Sequence, residues 1–182
     1  MDGDIERRLR EIRDRIELQE LIVKYALYID SRDFDALASL WAENAVFDSV
    51  AGRTVGRSGI IEYYRNRMRT WGMTFHVPHG QVLERLEGDE AEGYVLAHAE
   101  VVIDGIALSS GLRYYDRYRR EDGAWRFQER IVQQMYALPV DQLASGLPTI
   151  NRKRWPGTTP QPADIPEPLE TWQRYHSSVQ SG

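Results

Sequence analysis

The stretch Leu18-Gln-Glu-Leu-Ile-Val-Lys-Tyr-Ala-Leu-Tyr-Ile-Asp30 decides the fold that we expect for this chain. Its large apolar residues recur three and four positions apart, so they share one face of a helix. The helix ends on Asp30, a carboxylate at the apolar end of that face. Such a residue either caps the turn that follows or takes part in chemistry, and both interpretations stay open here. The apolar face consists of Leu18, Leu21, Ile22, Tyr25 and Ile29.

Composition limits the classes of protein to which the chain can belong. It has 182 residues, of which 42% are hydrophobic and 28% charged, as expected for one soluble globular domain with a short appendage. The net charge of −5 argues against nucleic-acid binding, and the absence of cysteine excludes disulfides and thiolate chemistry. No apolar run approaches the roughly 18 residues that span a bilayer. The charged N-terminus lacks a signal-peptide core, so we expect a cytoplasmic protein with no membrane partner.

Helical patterns come first along the chain. A charged amphipathic pattern at 4–16 leads into the helix described above. Asp33 is suited to cap a short helix that ends near Trp41, and Ser58 is suited to cap a third helix. Between these two helices, residues 45–50 predict a first strand.

Four longer strand patterns follow Gly72. Short turn signals separate the runs 73–86, 91–104, 106–119 and 124–137, and Asp104-Gly105 in particular predicts a two-residue hairpin. Strands joined this tightly are antiparallel neighbours. The sequence therefore predicts an α+β fold in which helices pack on one face of a curved antiparallel sheet.

The last part of the chain has a different composition. Seven of the eight prolines lie within 138–182, which disfavours regular structure until about Glu167. The same segment carries more large apolar residues, such as Ile150 and Trp155, than a disordered linker would hold. We therefore expect a domain over 1–137 and an ordered arm over 138–182 that packs on its own domain or on a neighbouring subunit.

Several local motifs occur in one recognisable order. They are Tyr25-Ala-Leu-Tyr-Ile-Asp30, the run from Asp33 to Phe47, Gly56-Arg-Ser-Gly-Ile-Ile61, His76, and Asp122-Gly-Ala-Trp-Arg-Phe127. Together they resemble the SnoaL-like branch of the NTF2-like superfamily, the fold of scytalone dehydratase, ketosteroid isomerase and the dehydrochlorinase LinA. The resemblance covers residues 8–137. It implies a cone-shaped, cystatin-like α+β barrel with the N-terminal helices on the concave face of the sheet.

The resemblance also implies a site. In the dehydratase branch a catalytic aspartate and histidine would fall on Asp30 and His76. A tyrosine that polarises a carbonyl or a leaving group would fall on Tyr25. A second histidine, which would act as the acid that protonates the leaving group, would fall on His98. An arginine that binds a carbonyl or an anion, or pairs with Asp30, would fall on Arg130. Independently of the resemblance, Tyr28 and Tyr64 could line the same cavity or pack in the core, and Phe47 and Trp41 are further candidate substrate-binding residues.

Elementary chemistry supports some of these roles and leaves others open. An unperturbed histidine titrates at about pH 6.5, which suits a general base, and a buried carboxylate partner would fix its tautomer. Strand alternation separates His76 from Phe75, and it places Arg130 opposite Phe127. Each residue also has a plain structural alternative. His76 could simply hydrogen-bond to the backbone, Asp30 could cap the helix or turn, and Tyr25 could pack in the core.

We therefore expect a cofactor-independent dehydratase (a lyase) or isomerase that uses His–Asp general acid–base chemistry on a small apolar, carbonyl-containing or polycyclic substrate. One alternative is a ketosteroid isomerase-like enzyme with Asp48 as its base, and another is a non-catalytic binding module. No nucleotide fingerprint is present, and His76, His79 and His98 have poor metal-ligand spacing, so we expect no cofactor and no metal. Tyrosine and valine residues on the outer sheet face predict a homo-oligomer, either a dimer or a trimer.

Overall fold

A computed structural model describes residues 2–180 of the chain. The helices are α1 (Asp2–Ser31), α2 (Phe34–Ser39), α3 (Arg57–Arg67), α4 (Leu143–Gly146) and α5 (Glu170–Gln180), with a 3₁₀ turn at Val140–Gln142. The strands are β1 (Trp41–Ser49), β2 (Gly52–Val55), β3 (Trp71–Glu87), β4 (Glu90–Ile103), β5 (Ile106–Glu121) and β6 (Ala124–Pro139).

The strands form one curved sheet in the order β2-β1-β6-β5-β4-β3. The four long strands β3 to β6 are antiparallel neighbours, as their short turns require. The sheet also contains one parallel pair, because β1 runs beside β6 in the same direction. The predicted α+β fold with a curved sheet is confirmed.

Helix α1 joins the two predicted N-terminal helices into one. Its second half packs on the concave face of the sheet, where each residue of the apolar stripe defined above is at most 5% exposed. Burying one such side chain stabilises the fold by about 1.5–3 kcal/mol, so this stripe anchors the helix. The first half lies outside the core, since Ile5, Leu9, Ile12 and Ile16 are 52–60% exposed.

The segment between α1 and α3 confirms one prediction and departs from expectation in three other places. Asp33 does cap α2, because its carboxylate accepts a hydrogen bond from the Ala36 N–H at 3.0 Å. Trp41 begins β1 instead of ending that helix, and its ring is fully buried in the core. The sequence did not predict the short strand β2, which pairs with β1 at the sheet edge. Helix α3 starts after Gly56, with no side-chain cap from Ser58.

A β-bulge in β6 changes which residues face the core. Arg117 of β5 pairs with Glu129, whereas the next residue, Tyr118, pairs with Phe127, so Gln128 is the extra residue. Because of this insertion, Phe127 and Arg130 both point inward and are fully buried. The prediction that they lie on opposite faces is therefore wrong.

The segment after the last strand packs on its own domain. The Asp164 carboxylate accepts a hydrogen bond from the Gln134 N–H of β6 at 2.9 Å and pairs with Lys153 at 2.7 Å. Arg152 and Glu167 form a two-pronged ion pair at 2.7 Å. Strand β6 runs two residues beyond the expected domain boundary, to Pro139, and the division into domain and arm stays a prediction.

The outer face of the sheet exposes several large apolar side chains. Phe75, Val82 and Leu96 are 55%, 66% and 56% exposed. The homo-oligomer expected from such a surface stays a prediction. In the part of the chain that the structure covers, no helix is long and apolar enough to cross a membrane.

Candidate functional site

A cavity opens between α1, α3 and the concave face of the sheet. The centre of a water molecule can occupy about 90 Å³ of it. Aromatic and aliphatic side chains form most of its wall, which makes it a typical pocket for a small apolar ligand. Residues of that wall include Tyr25, Ile29, Phe47, Tyr64, Leu112 and Tyr114, and His76 lies among them.

His76 and Asp30 are in direct contact at this cavity. The Nδ1 atom of His76 lies 2.7 Å from Oδ1 of Asp30, and the His76 backbone N–H donates to Oδ2, also at 2.7 Å. A carboxylate only accepts hydrogen bonds, so the ring proton belongs on Nδ1 and the lone pair on Nε2. Within residues 2–180, Nε2 has no hydrogen-bond partner. The free nitrogen is therefore available to a molecule in the cavity.

A second layer of polar groups holds the aspartate. The Thr74 hydroxyl donates to Oδ1 of Asp30 at 2.9 Å and accepts from the Arg32 guanidinium at 2.7 Å. Arg32 also donates to the Gly72 carbonyl at 2.6 Å. The Asp30 carboxylate is thus bound to β3 and not to the turn after α1, where Asp33 provides the cap. This arrangement disfavours the capping interpretation of Asp30.

Electrostatics favour the charged form of Asp30. Burial alone would raise its pKa, but hydrogen bonds from the ring and backbone of His76 and from Thr74, with the charge of His76, outweigh burial and lower the pKa below its ordinary value of 3.8. The side chain therefore stays a carboxylate at neutral pH. A carboxylate in this place stabilises a protonated His76.

Tyr25 lies beside the histidine and is bonded to a second tyrosine. Its hydroxyl is 2.8 Å from that of Tyr64, and its ring meets the His76 ring edge-on with centroids 6.4 Å apart. Burial raises the pKa of Tyr25, partly offset by the charge of Arg130, and burial raises the pKa of Tyr64 further. Both hydroxyls are therefore neutral at ordinary pH and can donate hydrogen bonds.

Arg130 belongs to a buried ion pair under the cavity. Its guanidinium donates to both carboxylate oxygens of Asp116, at 2.8 and 2.6 Å, and the Tyr118 hydroxyl donates to the same carboxylate at 2.7 Å. The guanidinium carbon also lies 4.3 Å from the ring centre of Tyr25. Arg130 pairs with Asp116 and not with Asp30, and it is absent from the cavity wall. The prediction that Arg130 binds the substrate directly or pairs with Asp30 is therefore corrected: Arg130 pairs with Asp116 below the cavity.

His98 lies on the other side of the sheet. His76 is paired directly with Ala99 across β3 and β4, so the side chain of the preceding residue, His98, points away from the cavity. Its ring nitrogens lie 2.8 Å from His79 Nε2 and 2.8 Å from the Tyr136 hydroxyl. His98 cannot protonate a leaving group in this cavity, and that assignment is wrong.

Three further predicted residues lie outside the cavity wall. Asp48 alternates with Phe47 and Ser49, which line the cavity, so its carboxylate points away. The ketosteroid isomerase-like alternative thereby loses its proposed base. Trp41 is buried in the core below the cavity, and Tyr28 packs against the same core. Among the predicted aromatic residues, Tyr25, Tyr64 and Phe47 do line the cavity.

Side chains that the sequence patterns did not indicate complete the wall. Trp155, from the segment after β6, stacks on Trp71 with ring centroids 6.3 Å apart and planes 19° apart. Its indole N–H donates to the Gln134 side chain at 3.2 Å. Arg67, at the end of α3, also lines the cavity. Only the high content of large apolar residues after β6 hinted that this segment reaches the cavity.

The curved α+β sheet and the histidine–aspartate pair at an apolar cavity define an NTF2-like protein of the SnoaL type. The chain belongs to the family of SnoaL-like domains, whose model matches residues 10–131.

Individual relatives agree with this family. A protein of uncharacterised function from Mycobacterium tuberculosis is 31% identical over 125 residues, which cover 66% of this chain and 85% of that protein. The gamma-hexachlorocyclohexane dehydrochlorinase of Sphingobium indicum is 26% identical over 138 residues, which cover 72% of this chain and 87% of that enzyme. The crystal structure of LinA matches with a TM-score of 0.68 at 22% identity, covering 72% of this chain and 92% of the other. At that identity the structure supports the fold alone.

Proposed function

We propose that this protein is a cofactor-independent lyase or isomerase that acts on a small, apolar, carbonyl-containing or polycyclic substrate. The observation that carries the proposal is the 2.7 Å contact between His76 Nδ1 and Asp30 Oδ1, in a histidine whose Nε2 is left to an apolar cavity. A base that is oriented by a carboxylate and shielded from bulk water is suited to removing a proton from carbon.

The first step of the proposed reaction is proton transfer to His76. Nε2 takes a proton from the carbon next to the carbonyl group, and the electron pair of that C–H bond moves toward the carbonyl oxygen. The imidazolium that forms is stabilised by the Asp30 carboxylate, whose pKa is held low by His76 and Thr74. General base catalysis of this kind contributes about 10²- to 10⁴-fold to a rate.

The second requirement is a hydrogen-bond donor for the oxygen that gains charge. Tyr25 lies in the cavity wall beside His76, and its hydroxyl is neutral because burial raises its pKa. The Tyr64 hydroxyl at 2.8 Å can donate to Tyr25 and leave the Tyr25 proton for the substrate. Donors fixed in an apolar cavity stabilise such a charge more strongly than water does.

The fate of the electron pair separates the two reaction classes. In a lyase the pair forms a carbon–carbon double bond, a leaving group departs from the next carbon, and His76 returns its proton to a departing hydroxide as water. In an isomerase His76 returns the same proton to a different carbon. The dehydrochlorinase relative, whose name describes loss of hydrogen chloride, favours the lyase.

The experiment is an elimination assay with a panel of cyclic β-hydroxy ketones, in which water loss is followed by the absorbance of the conjugated enone. We expect His76→Gln and Asp30→Asn each to lower turnover by at least about 100-fold relative to the wild type. The matched control is His98→Gln, which removes a histidine from the outer face of the sheet and should keep wild-type turnover.

Two results would contradict the proposal. One is a His76→Gln protein that stays folded by circular dichroism and retains full turnover. The other is a wild-type protein that binds the ketones without eliminating water, which would indicate the binding module instead.

A further inference from the structure

Arg67 is the one permanently charged side chain in the cavity wall that residues 2–180 form. It lies in the last turn of α3 and is partly buried. Its guanidinium carbon is 5.5 Å from the ring centre of Tyr63 and 5.8 Å from that of Trp71. Its Nε donates to the Tyr63 hydroxyl at 3.2 Å, which fixes the direction of the guanidinium plane.

This arginine has no acidic partner in the part of the chain that the structure covers. No carboxylate lies within 4.0 Å of it, and no aspartate or glutamate lines the cavity. The other arginines of α3 that face acidic side chains are paired on the outer surface: Arg65 contacts Asp35 at 3.2 Å, and Arg57 contacts Glu43 at 3.3 Å. Arg67 is therefore a positive charge that the fold holds at an apolar cavity without a counter-ion.

A charge in this position favours an anionic ligand. The apolar wall screens the guanidinium less than bulk water does, so its attraction for an anion extends into the cavity. With Nε engaged by Tyr63, the two terminal nitrogens can donate to both oxygens of a carboxylate. Arginine binds planar carboxylates in this two-pronged manner better than lysine does.

The aromatic side chains near Arg67 favour a flat ligand. Trp71 and Trp155 lie nearly parallel, and Tyr63 lines the same cavity. Aromatic faces and edges of this kind pack well against a planar ring. The indole N–H of Trp155 is already bonded to Gln134, so these rings offer apolar contact more than hydrogen bonds.

We propose that the cavity binds a planar, ring-containing carboxylate, with the carboxylate at Arg67 and the ring among Tyr63, Trp71 and Trp155. The placement of the reacting carbon at His76 rests on the function proposed above, whereas the binding of the acid does not. The substrate class of the proposed enzyme is then a cyclic acid, and a neutral polycyclic ketone is a poorer ligand.

The test uses two nearly isosteric probes, naphthalene-2-carboxylate and naphthalene-2-carboxamide, whose binding is measured by calorimetry and by quenching of tryptophan fluorescence. We expect the wild type to bind the carboxylate at least about tenfold more tightly than the amide, a difference of about 1.4 kcal/mol. Arg67→Gln should abolish this preference and change amide binding less than about twofold, and Arg67→Lys should retain part of it. The control Arg69→Gln removes an exposed charge two residues away and should bind both probes as the wild type does.

Two results would overturn the inference. In one, the wild type shows no preference for the carboxylate; in the other, Arg67→Gln keeps the preference intact. His76→Gln separates this inference from the proposed function, because that variant should still bind the carboxylate while losing turnover. If His76→Gln keeps full turnover, the proposed function is rejected. If Arg67→Gln loses carboxylate binding in the same experiments, the proposed binding site is nevertheless supported.

Discussion

Both oxygens of the Asp30 carboxylate contact His76, a residue 46 positions later in the chain: Oδ1 bonds the ring and Oδ2 bonds the backbone N–H. The contact to the backbone N–H fixes the position of the His76 main chain, and the contact to Nδ1 fixes the rotation of the imidazole ring. The end of α1 and the middle of β3 thus define one orientation for Nε2. Precise orientation of a base is what proton abstraction from carbon demands.

The contact between Asp30 and His76 should make the free energy of unfolding depend on pH in the acid range. A carboxylate whose pKa is lower in the folded than in the unfolded state stabilises the fold above the unfolded pKa, and this contribution disappears as the pH falls through the folded pKa. The free energy of unfolding of the wild type should therefore exceed that of Asp30→Asn near neutral pH. The difference should shrink once the pH drops below 3.8. Urea unfolding of both proteins over a pH series measures it, and a difference that is independent of pH would contradict the expectation.

Thr74 should matter more than an ordinary surface threonine. Its hydroxyl joins the Arg32 guanidinium to Asp30, and the residue is only 6% exposed. Thr74→Val keeps the shape but leaves these groups without their shared partner, which should cost about 1–3 kcal/mol in unfolding free energy. Thr70→Val, at an exposed position after α3, is the control and should change stability by less than about 0.5 kcal/mol. Equal effects of the two substitutions would show that the Thr74 bridge has little energetic weight.

The buried pair of Arg130 and Asp116 should be essential for stability. Both side chains are 0% exposed, so Asp116→Asn would leave an uncompensated guanidinium in the core. Loss of one partner of a buried pair typically costs about 3–5 kcal/mol. Asp35→Asn breaks the exposed pair with Arg65 and should cost at most about 1 kcal/mol. Thermal and urea denaturation compare the two variants, and similar losses in both would refute the structural role of the buried pair.

Trp155 should contribute to ligand affinity although it lies outside the region matched by the family. Trp155→Ala removes the ring that stacks on Trp71 and the donor to Gln134. Naphthalene-2-carboxylate should then bind about 5- to 30-fold more weakly, as expected when a stacked aromatic contact worth about 1–2 kcal/mol is lost. Trp172→Ala, in α5 and absent from the cavity wall, is the matched control. Unchanged affinity in Trp155→Ala would remove the segment after β6 from the site.

Most of the fold could be predicted because its patterns are local. The apolar stripe of α1 and the turn signals between β3, β4, β5 and β6 depend on neighbouring residues in the sequence. The parallel pairing of β1 with β6 and the bulge at Gln128 depend on residues far apart in the chain. Strict alternation therefore separated Arg130 from Phe127, although the side chains of both residues point into the core.

The candidate site was predictable only in part for the same reason. The resemblance predicted Asp30 and His76 as a pair, and the structure places them in contact, although their catalytic role stays a prediction. Alternation assigns His98 to one of two faces but does not say which face is concave. Arg67 and Trp155 lie on elements whose contact with the cavity depends on the folded chain, so no local pattern marked them.

The most direct test of the proposed chemistry is the rate at which the protein exchanges a carbon-bound proton of a cyclic ketone for deuterium in D₂O. This measurement needs proton removal alone and no leaving group, and the panel should include ketones with and without a ring carboxylate. We predict exchange by the wild type and by His98→Gln, and a rate at least about 100-fold lower in His76→Gln. Exchange by folded His76→Gln at the wild-type rate would contradict the assignment of His76 as the base.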